Sequence, residues 1–432
     1  MSGFFVLAQP QTGIKNNDMT TLLRNYIKTF DGLSNEIWWL ALITFVNRLG
    51  AMVIPFLSIY LNEDLDFSYE KISWVMTAYG LGSLFGSWLG GVLCDRIGYY
   101  KVILLSLIFT GLNFLWVMHV SSFLMICVSF FVLITIADMG RPGFFVALSA
   151  YSKPENKTRS LTLIRLAINL GMGAGPMLGG ILIGTLGYKS LFYVDGISCL
   201  AAAFLMTRML HPKKAKELDK EVVPNKPRSP WRDKAFVLFI IALALFATIF
   251  VPIFSVVPVF YRSVHQLSEV SIGLLIGLNG FLIVVFEMPL IAWLQRKKWT
   301  TIGFTIFGLW LTALSFLLLI WESWTAIVIV AMVFMTLGEM IAFPFSNKFA
   351  LDRSKFGKQG AFMGLYTMAF SVAHIFGHNI GMQVTAAYGF KVTWLLFGGL
   401  ALIAWLLLLR AQQLINREAT KTTLSLNTNK NL

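Results

Sequence analysis

A chain of 432 residues that is 57% hydrophobic and only 13% charged, with a mean hydropathy of +0.72, does not belong with soluble proteins, in which roughly a quarter of residues are charged. The net charge of +14 invites a nucleic-acid reading, but the basic residues sit in alternate loops between apolar runs and form no continuous basic face. Cys94, Cys127 and Cys199 have neither CxxC nor Cys/His spacing, so neither a disulfide framework nor a zinc site is read, and no metal or cofactor is expected.

Residues 1–36 form a cytoplasmic segment with an interfacial amphipathic stretch, Thr20 to Phe30. The apolar patch Phe4 to Ala8 has no preceding Lys or Arg, so no cleaved signal peptide is read. Runs long enough to cross a ~30 Å hydrocarbon core then follow at 37–61, 72–93, 102–119, 123–150, 161–186, 191–210, 235–261, 270–295, 301–320, 324–350, 360–386 and 391–411. They are numbered here as spans 1 to 12; only His119-Val120-Ser121-Ser122 divides spans 3 and 4. Six spans make an N-terminal bundle, 37–210, and six a C-terminal bundle, 235–411. A polar linker, 211–234, holding Pro212, Pro224, Pro227 and Pro230, joins them, and a Thr/Asn-rich tail, 412–432, is expected to be disordered.

With both termini on one side, 27 Lys and Arg fall there and four, Lys71, Lys189, Arg262 and Lys391, on the other. The positive-inside rule puts both termini and the linker in the cytoplasm, and the acidic loop Glu63, Asp64, Asp66, Glu70 outside.

Between spans 2 and 3 stands Gly91-Val92-Leu93-Cys94-Asp95-Arg96-Ile97-Gly98-Tyr99-Tyr100-Lys101. Glycines here let helix ends approach closely, and Asp95 and Arg96 can hold neighbouring helix termini or charges. Span 5 carries Arg165 and Asn169, then Gly171, Gly175, Pro176, Gly179 and Gly180. Glycines four apart make a smooth packing face, and Pro176 removes a backbone donor and bends the helix. Span 11 echoes the pattern with Ala373, Gly377 and Gly381, and with His378 in the Pro176 slot. Spans 4 and 10 correspond as well, with Asp138 and Arg141 before Pro142, and Glu339 before Pro344. Such echoes are the internal symmetry of a transporter built from repeats.

The loop resembles the GxLaDRxGrk signature of the major facilitator superfamily at Gly91, Leu93, Asp95, Arg96 and Gly98, with Tyr99-Tyr100 where the family has Arg-Lys. The second-half copy, Gln295-Arg296-Lys297-Lys298, lacks the Asp. Span 5 is similar to the family's antiporter motif, associated with drug:proton antiporters. The span-10 glutamate and its following proline resemble the proton-coupled peptide transporter branch, as more faintly does Asn47-Arg48. The resemblance covers about 37–411. It implies an all-α membrane protein of twelve transmembrane helices in two pseudo-symmetric six-helix bundles. Helices 1, 4, 7 and 10 would line a central cavity, helices 2, 5, 8 and 11 would form the moving seam, and the loop signature would latch one of two alternating states.

A charge at mid-membrane costs about 2.5–3.5 kcal/mol even on the lenient insertion scale, so each needs a partner or an aqueous cavity. The in-span charges read as Arg48, Asp138, Arg141, Arg165, Glu287 and Glu339, three of each sign. On the family plan Arg48, Asp138, Arg141 and Glu339 fall in the substrate cavity, and Arg165, Glu287, His374 and His378 in the seam. Asp138 and Arg141, three apart, can pair on one helix. Glu339 has no opposite charge within a helical turn and is the first candidate for the proton carrier, ahead of Asp138, Glu287, His374 and His378; binding a substrate cation or pairing with Arg48 or Arg141 are its alternatives. Glu287 and Arg165 read as a bridge between halves. His374 and His378 have zinc spacing but no third ligand nearby, so hydrogen bonding is expected of them.

Three functions fit: proton-coupled efflux of amphipathic solutes by alternating access, proton-coupled import of peptides or another nutrient, and a non-transporting receptor or scaffold. Cavity charges argue against the last. No Walker A, zinc-protease or nucleophile motif appears, and the loops are too short for an enzymatic domain. The expected partners are a small-molecule substrate, protons and the bilayer of the cytoplasmic membrane, with the chain as a monomer and no nucleic acid.

Overall fold

The computed structural model describes residues 32–153, 156–213, 228–357 and 359–430. The amphipathic stretch Thr20 to Phe30 and linker residues 214–227 lie outside the described residues. Among the described residues ten helices have the length and hydropathy of a membrane span. The last of them, Gln359–Lys430, is two spans, broken where Gly389 takes φ 81° and ψ 174°, a conformation open to a residue without Cβ. Span 2, Tyr69–Ile97, is long enough to cross, but its glycines, serines and threonine dilute its hydropathy. Counted together, the described residues make twelve crossings.

Spans 3 to 6 are Tyr99–Val117, Phe123–Tyr151, Lys157–Leu186 and Lys189–Met209. Spans 8 to 10 are Glu269–Leu294, Thr301–Leu318 and Ile327–Ser354. Spans 1 and 7 are interrupted at matching places. Span 1 runs Asn35–Leu49, breaks, and resumes as Val53–Glu63. Span 7 runs Lys234–Phe250, tightens into a 3-10 turn, Val251–Phe254, and resumes as Val256–Ser263. Each second segment carries a proline as its third residue, Pro55 and Pro258, where a helix's first-turn N–H groups have no intrahelical acceptor to lose.

Within the first half span 2 packs on span 4, span 3 on spans 4 and 6, and span 1 on spans 5 and 6; in the second half span 7 packs on span 11 and span 9 on span 10. The halves meet along two seams, span 5 against span 8 and span 2 against span 11. Trp88, Phe281 and Leu406 are exposed, as helices solvated by lipid allow.

The tail, expected to be disordered from 412 onward, is instead helical to Lys430. Glu418 accounts for its anchoring: it meets Arg353 at the end of span 10 at 2.7 Å and Arg228 at 3.4 Å.

Candidate substrate cavity

A cavity of about 510 Å³ lies between the halves. Span 1 gives it Thr44, Asn47 and Arg48; span 3 Ser106 and Thr110; span 4 Asp138, Arg141, Phe144 and Phe145; span 5 Arg165 and Ile168; span 10 Phe343, Pro344 and Asn347; and span 11 Tyr366. On spans 4, 5, 10 and 11 these residues lie in the helical halves nearer Asp95 and Arg96, so the cavity faces that basic end.

The opposite end is closed by polar contacts within and between the halves. Arg262 of span 7 meets Glu63 of span 1 at 2.5 Å and Glu269 of span 8 at 3.2 Å, while the Tyr188 hydroxyl donates to Glu63 at 2.9 Å. On the other seam the Asn379 amide donates to Thr77 Oγ1 and the Gln383 amide to Ser73 Oγ, both at 2.8 Å.

Three of the four expected cavity charges line the wall. Arg141 donates to Asp138 at 2.8 Å, the same-helix pair the spacing predicts, and Ser83 of span 2 donates to the other Asp138 oxygen. Arg48 lines the cavity with its Nε buried and without a hydrogen-bond partner. Glu339, expected in the cavity, instead turns to span 8, where the Asn279 amide donates to it at 2.9 Å. It lies one turn beyond the cavity residue Phe343, on the side away from the opening. Spacing within span 10 gives depth but not which way the residue faces.

The seam residues fall into two groups, one on each seam. Arg165 bonds Glu287 across the halves and also lines the cavity. His374 Nδ1 lies 3.4 Å from His378 Nε2, and His378 Nδ1 lies 2.7 Å from Ser255 Oγ at the break in span 7, with Tyr79 of span 2 against both rings.

The glycine echo is a packing symmetry. A Cβ on Gly171 would come within 2.7 Å of Arg48 Cβ, and one on Gly175 within 2.9 Å of the Leu49 carbonyl; Gly179 faces Met52. In the second half Gly377 and Gly381 would meet the Thr248 carbonyl and Val256 of span 7, each at 2.7 Å. A Cβ on Gly280 would come within 3.2 Å of the Asn169 carbonyl and one on Gly273 would run into the Pro176 carbonyl, so span 5 packs on span 1 with one face and on span 8 with another.

The loop signature departs from expectation in one respect. Close approach falls to Gly90, which abuts the Met139 carbonyl of span 4, whereas Gly91 has open space around it. Gly98 serves the turn, at φ 84°. Asp95 and Arg96 are exposed and make no ion pair among the described residues.

Sequence reasoning missed Asp195, a fourth in-span acid. It is 1% exposed and accepts the Met52 and Val53 N–H groups at the break in span 1. Its place within the apolar run of span 6 was the available sign. Asp233 was missed too: it caps span 7 through Phe236 N–H and holds Arg353 at 2.7 Å.

The broken spans, paired seams and one-sided cavity describe a known architecture, and a family model described as Major Facilitator Superfamily matches residues 40–378. The chain belongs to the Major Facilitator Superfamily. Among its superfamily relatives, a Na(+), Li(+), K(+)/H(+) antiporter of Planococcus maritimus is 24% identical over 397 residues, 83% of this chain and 91% of that protein. The quinolone resistance protein NorA of Staphylococcus aureus is 25% identical over 185 residues, 42% of this chain and 47% of its own. A crystal structure of a POT family transporter in complex with a thioalcohol-conjugated peptide superposes with a TM-score of 0.75 at 15% identity, over 90% of this chain and 99% of that one, and shares the fold.

Proposed function

We propose that this superfamily transporter is a proton-coupled secondary transporter that exports small amphipathic solutes by alternating access, with its basic end in the cytoplasm. One observation carries the reading: a cavity lined by Arg48, Asp138 and Arg141 opens toward one end while Arg262, Glu63 and Glu269 tie the halves together at the other. Such a site can be presented to one side at a time if the contacts at one end release as those at the other form.

Two features support the coupling. Asp138 and Glu287 each face an arginine, whereas Glu339 has a neutral amide for a partner. A carboxyl that must gain and lose a proton in each cycle is better served by a neutral partner than by a fixed cation. The relatives' names, one an ion/proton antiporter and one a drug-resistance protein, favour export coupled to protons over import.

Purified protein in proteoliposomes, with a pH gradient imposed in either sense, tests the proposal. Gradient-driven movement of lipophilic solutes is expected; dipeptides and alkali cations serve as rival cargoes. Gradient-driven dipeptide uptake would instead establish the importer reading, and no transport of any cargo under either gradient would favour a receptor or scaffold.

A further inference from the structure

We infer that the cavity recognises an organic anion, an amphipathic solute whose carboxylate- or phosphate-type head group is held by the Arg48 guanidinium. This rests on the reading that the cavity is the substrate site. Three arginines, Arg48, Arg141 and Arg165, line it against one carboxylate, Asp138. Two of them are matched, Arg141 by Asp138 and Arg165 by Glu287.

Arg48 is left over. Its Nε is buried with no hydrogen-bond partner, and it makes no ion pair among the described residues. Carboxylates on the surrounding helices are committed elsewhere: Asp138 to Ser83 and Arg141, Asp195 to the Met52 and Val53 N–H groups, and Glu339 to Asn279. The neighbouring Asn47 amide donates to Cys199 Sγ at 3.3 Å. Arg141 and Asp138 both lie within electrostatic reach of Arg48, with the repulsion from Arg141 the larger, so this side of the cavity keeps a net positive charge. A guanidinium left unmatched in a low-dielectric wall is costly, and its planar fork of five donors fits the paired oxygens of a carboxylate or phosphate.

The rest of the wall says what the anion carries. Leu107, Phe144, Phe145, Leu148 and Phe343 offer an apolar and aromatic surface, suited to a ring or short aliphatic body beside the charged head. A cationic amphiphile would fit the same surface but meet the wrong sign of charge at Arg48.

Equilibrium binding to the full-length protein in detergent tests this, read as a ligand-dependent rise in melting temperature. Naphthoate, naphthyl phosphate and, as a matched cation, naphthylmethylammonium are titrated at constant ionic strength. At least one anion should saturate and the cation should not; which anion does so distinguishes the carboxylate from the phosphate head group. Arg48→Gln should weaken anion binding by about tenfold or more, the effect of losing a hydrogen-bonded charge, with Arg48→Lys intermediate. Should Arg48→Gln fail to fold, Arg48→Lys and the anion-over-cation preference of the unsubstituted protein decide. Saturable binding of the cation alone, no saturable anion, or unchanged anion affinity in the folded Arg48 variants would overturn the inference. No gradient is involved, so anion binding without gradient-driven transport would refute the coupling and spare this inference. Gradient-driven transport confined to cations would do the reverse.

Discussion

Asp195 of span 6 closes the gap in span 1: its carboxylate accepts Met52 N–H at 3.0 Å and Val53 N–H at 3.0 Å. A helix that resumes inside a membrane presents N–H groups that no water satisfies, and its positive end favours a carboxylate. Asp195→Ala should therefore destabilise the protein by about 1–3 kcal/mol, the penalty for buried donors left unmet. Asp195→Asn should cost less, because its carbonyl oxygen still accepts one bond. Melting temperatures of the purified variants check the order, and an Ala variant as stable as the Asn variant would remove Asp195 from this role.

Arg165 and Glu287 join span 5 to span 8, and their exposures set the size of the effect. The Glu287 side chain is 10% exposed and that of Arg165 45%. The pair is thus half in the cavity, and solvent screening brings its worth nearer the ~1 kcal/mol of an exposed pair than the 3–5 kcal/mol lost on breaking a buried one. Removing the carboxylate leaves Arg165 able to turn to the cavity; removing the arginine strands Glu287. Arg165→Gln should consequently destabilise more than Glu287→Gln, and a double-mutant cycle on melting temperature should return a favourable coupling. Additive single effects would mean that the bridge holds nothing together.

At the far end Arg262 links Glu63 of one half to Glu269 of the other. All three side chains are at most 35% exposed, yet they face solvent at the rim. Breaking the link is expected to release about 1 kcal/mol, enough to shift the balance between states roughly fivefold. Ser58, fully buried on the same helical segment as Glu63, supplies the reporter. A cysteine at Ser58, in a chain without Cys94, Cys127 and Cys199, should react faster with an impermeant thiol reagent once Arg262→Gln is added. Equal rates would show that the rim contacts are not the gate.

Membrane orientation has its own check. With 27 Lys and Arg on the side of the linker and four on the other, a cysteine introduced near Lys216 should resist an impermeant reagent applied outside intact cells and react after permeabilisation. Strong labelling of intact cells would reverse the assignment and, with it, the direction in which the cavity opens.

Much of this architecture was legible because it is written in one dimension. Hydropathy gives the spans, and small residues four apart give packing faces, so Gly171, Gly175 and Gly179 could be matched to Ala373, Gly377 and Gly381 before their neighbours were known. The pairing of Asp138 with Arg141 was legible for the same reason, as both lie on one helix. What sequence does not encode locally is rotation about a helix axis and contact between distant segments. Span 10 could equally have turned Glu339 to the cavity or to Asn279. The link from Arg262 to Glu63, 199 residues away, and the anchoring of the tail by Glu418 exist only once the bundle is assembled. Asp195 lies between these cases: its burial was legible from the apolar run around it, but not the break in span 1 that it caps.

Glu339 remains the foremost candidate for the coupled proton. It accepts one hydrogen bond from Asn279 at 2.9 Å and makes no ion pair among the described residues, whereas Asp138 is matched by Arg141 and Ser83. The cavity wall begins one turn away at Phe343 and Pro344, and a proline within a helix provides a bend about which access can change. Reorientation of span 10 around that bend would bring Glu339 to the cavity in one state and return it to Asn279 in the other. Glu339→Gln keeps the shape and the contact with Asn279 but cannot release a proton, so it should reduce pH-gradient-driven transport to background while sparing substrate binding and exchange without a gradient. Asp138→Asn should do less to the coupling, its main effect being to leave Arg141 without its carboxylate. Full gradient-driven transport in Glu339→Gln, together with its loss in Asp138→Asn, would transfer the proton to Asp138 and make the Ser83 and Arg141 contacts, rather than Asn279, the ones that control it.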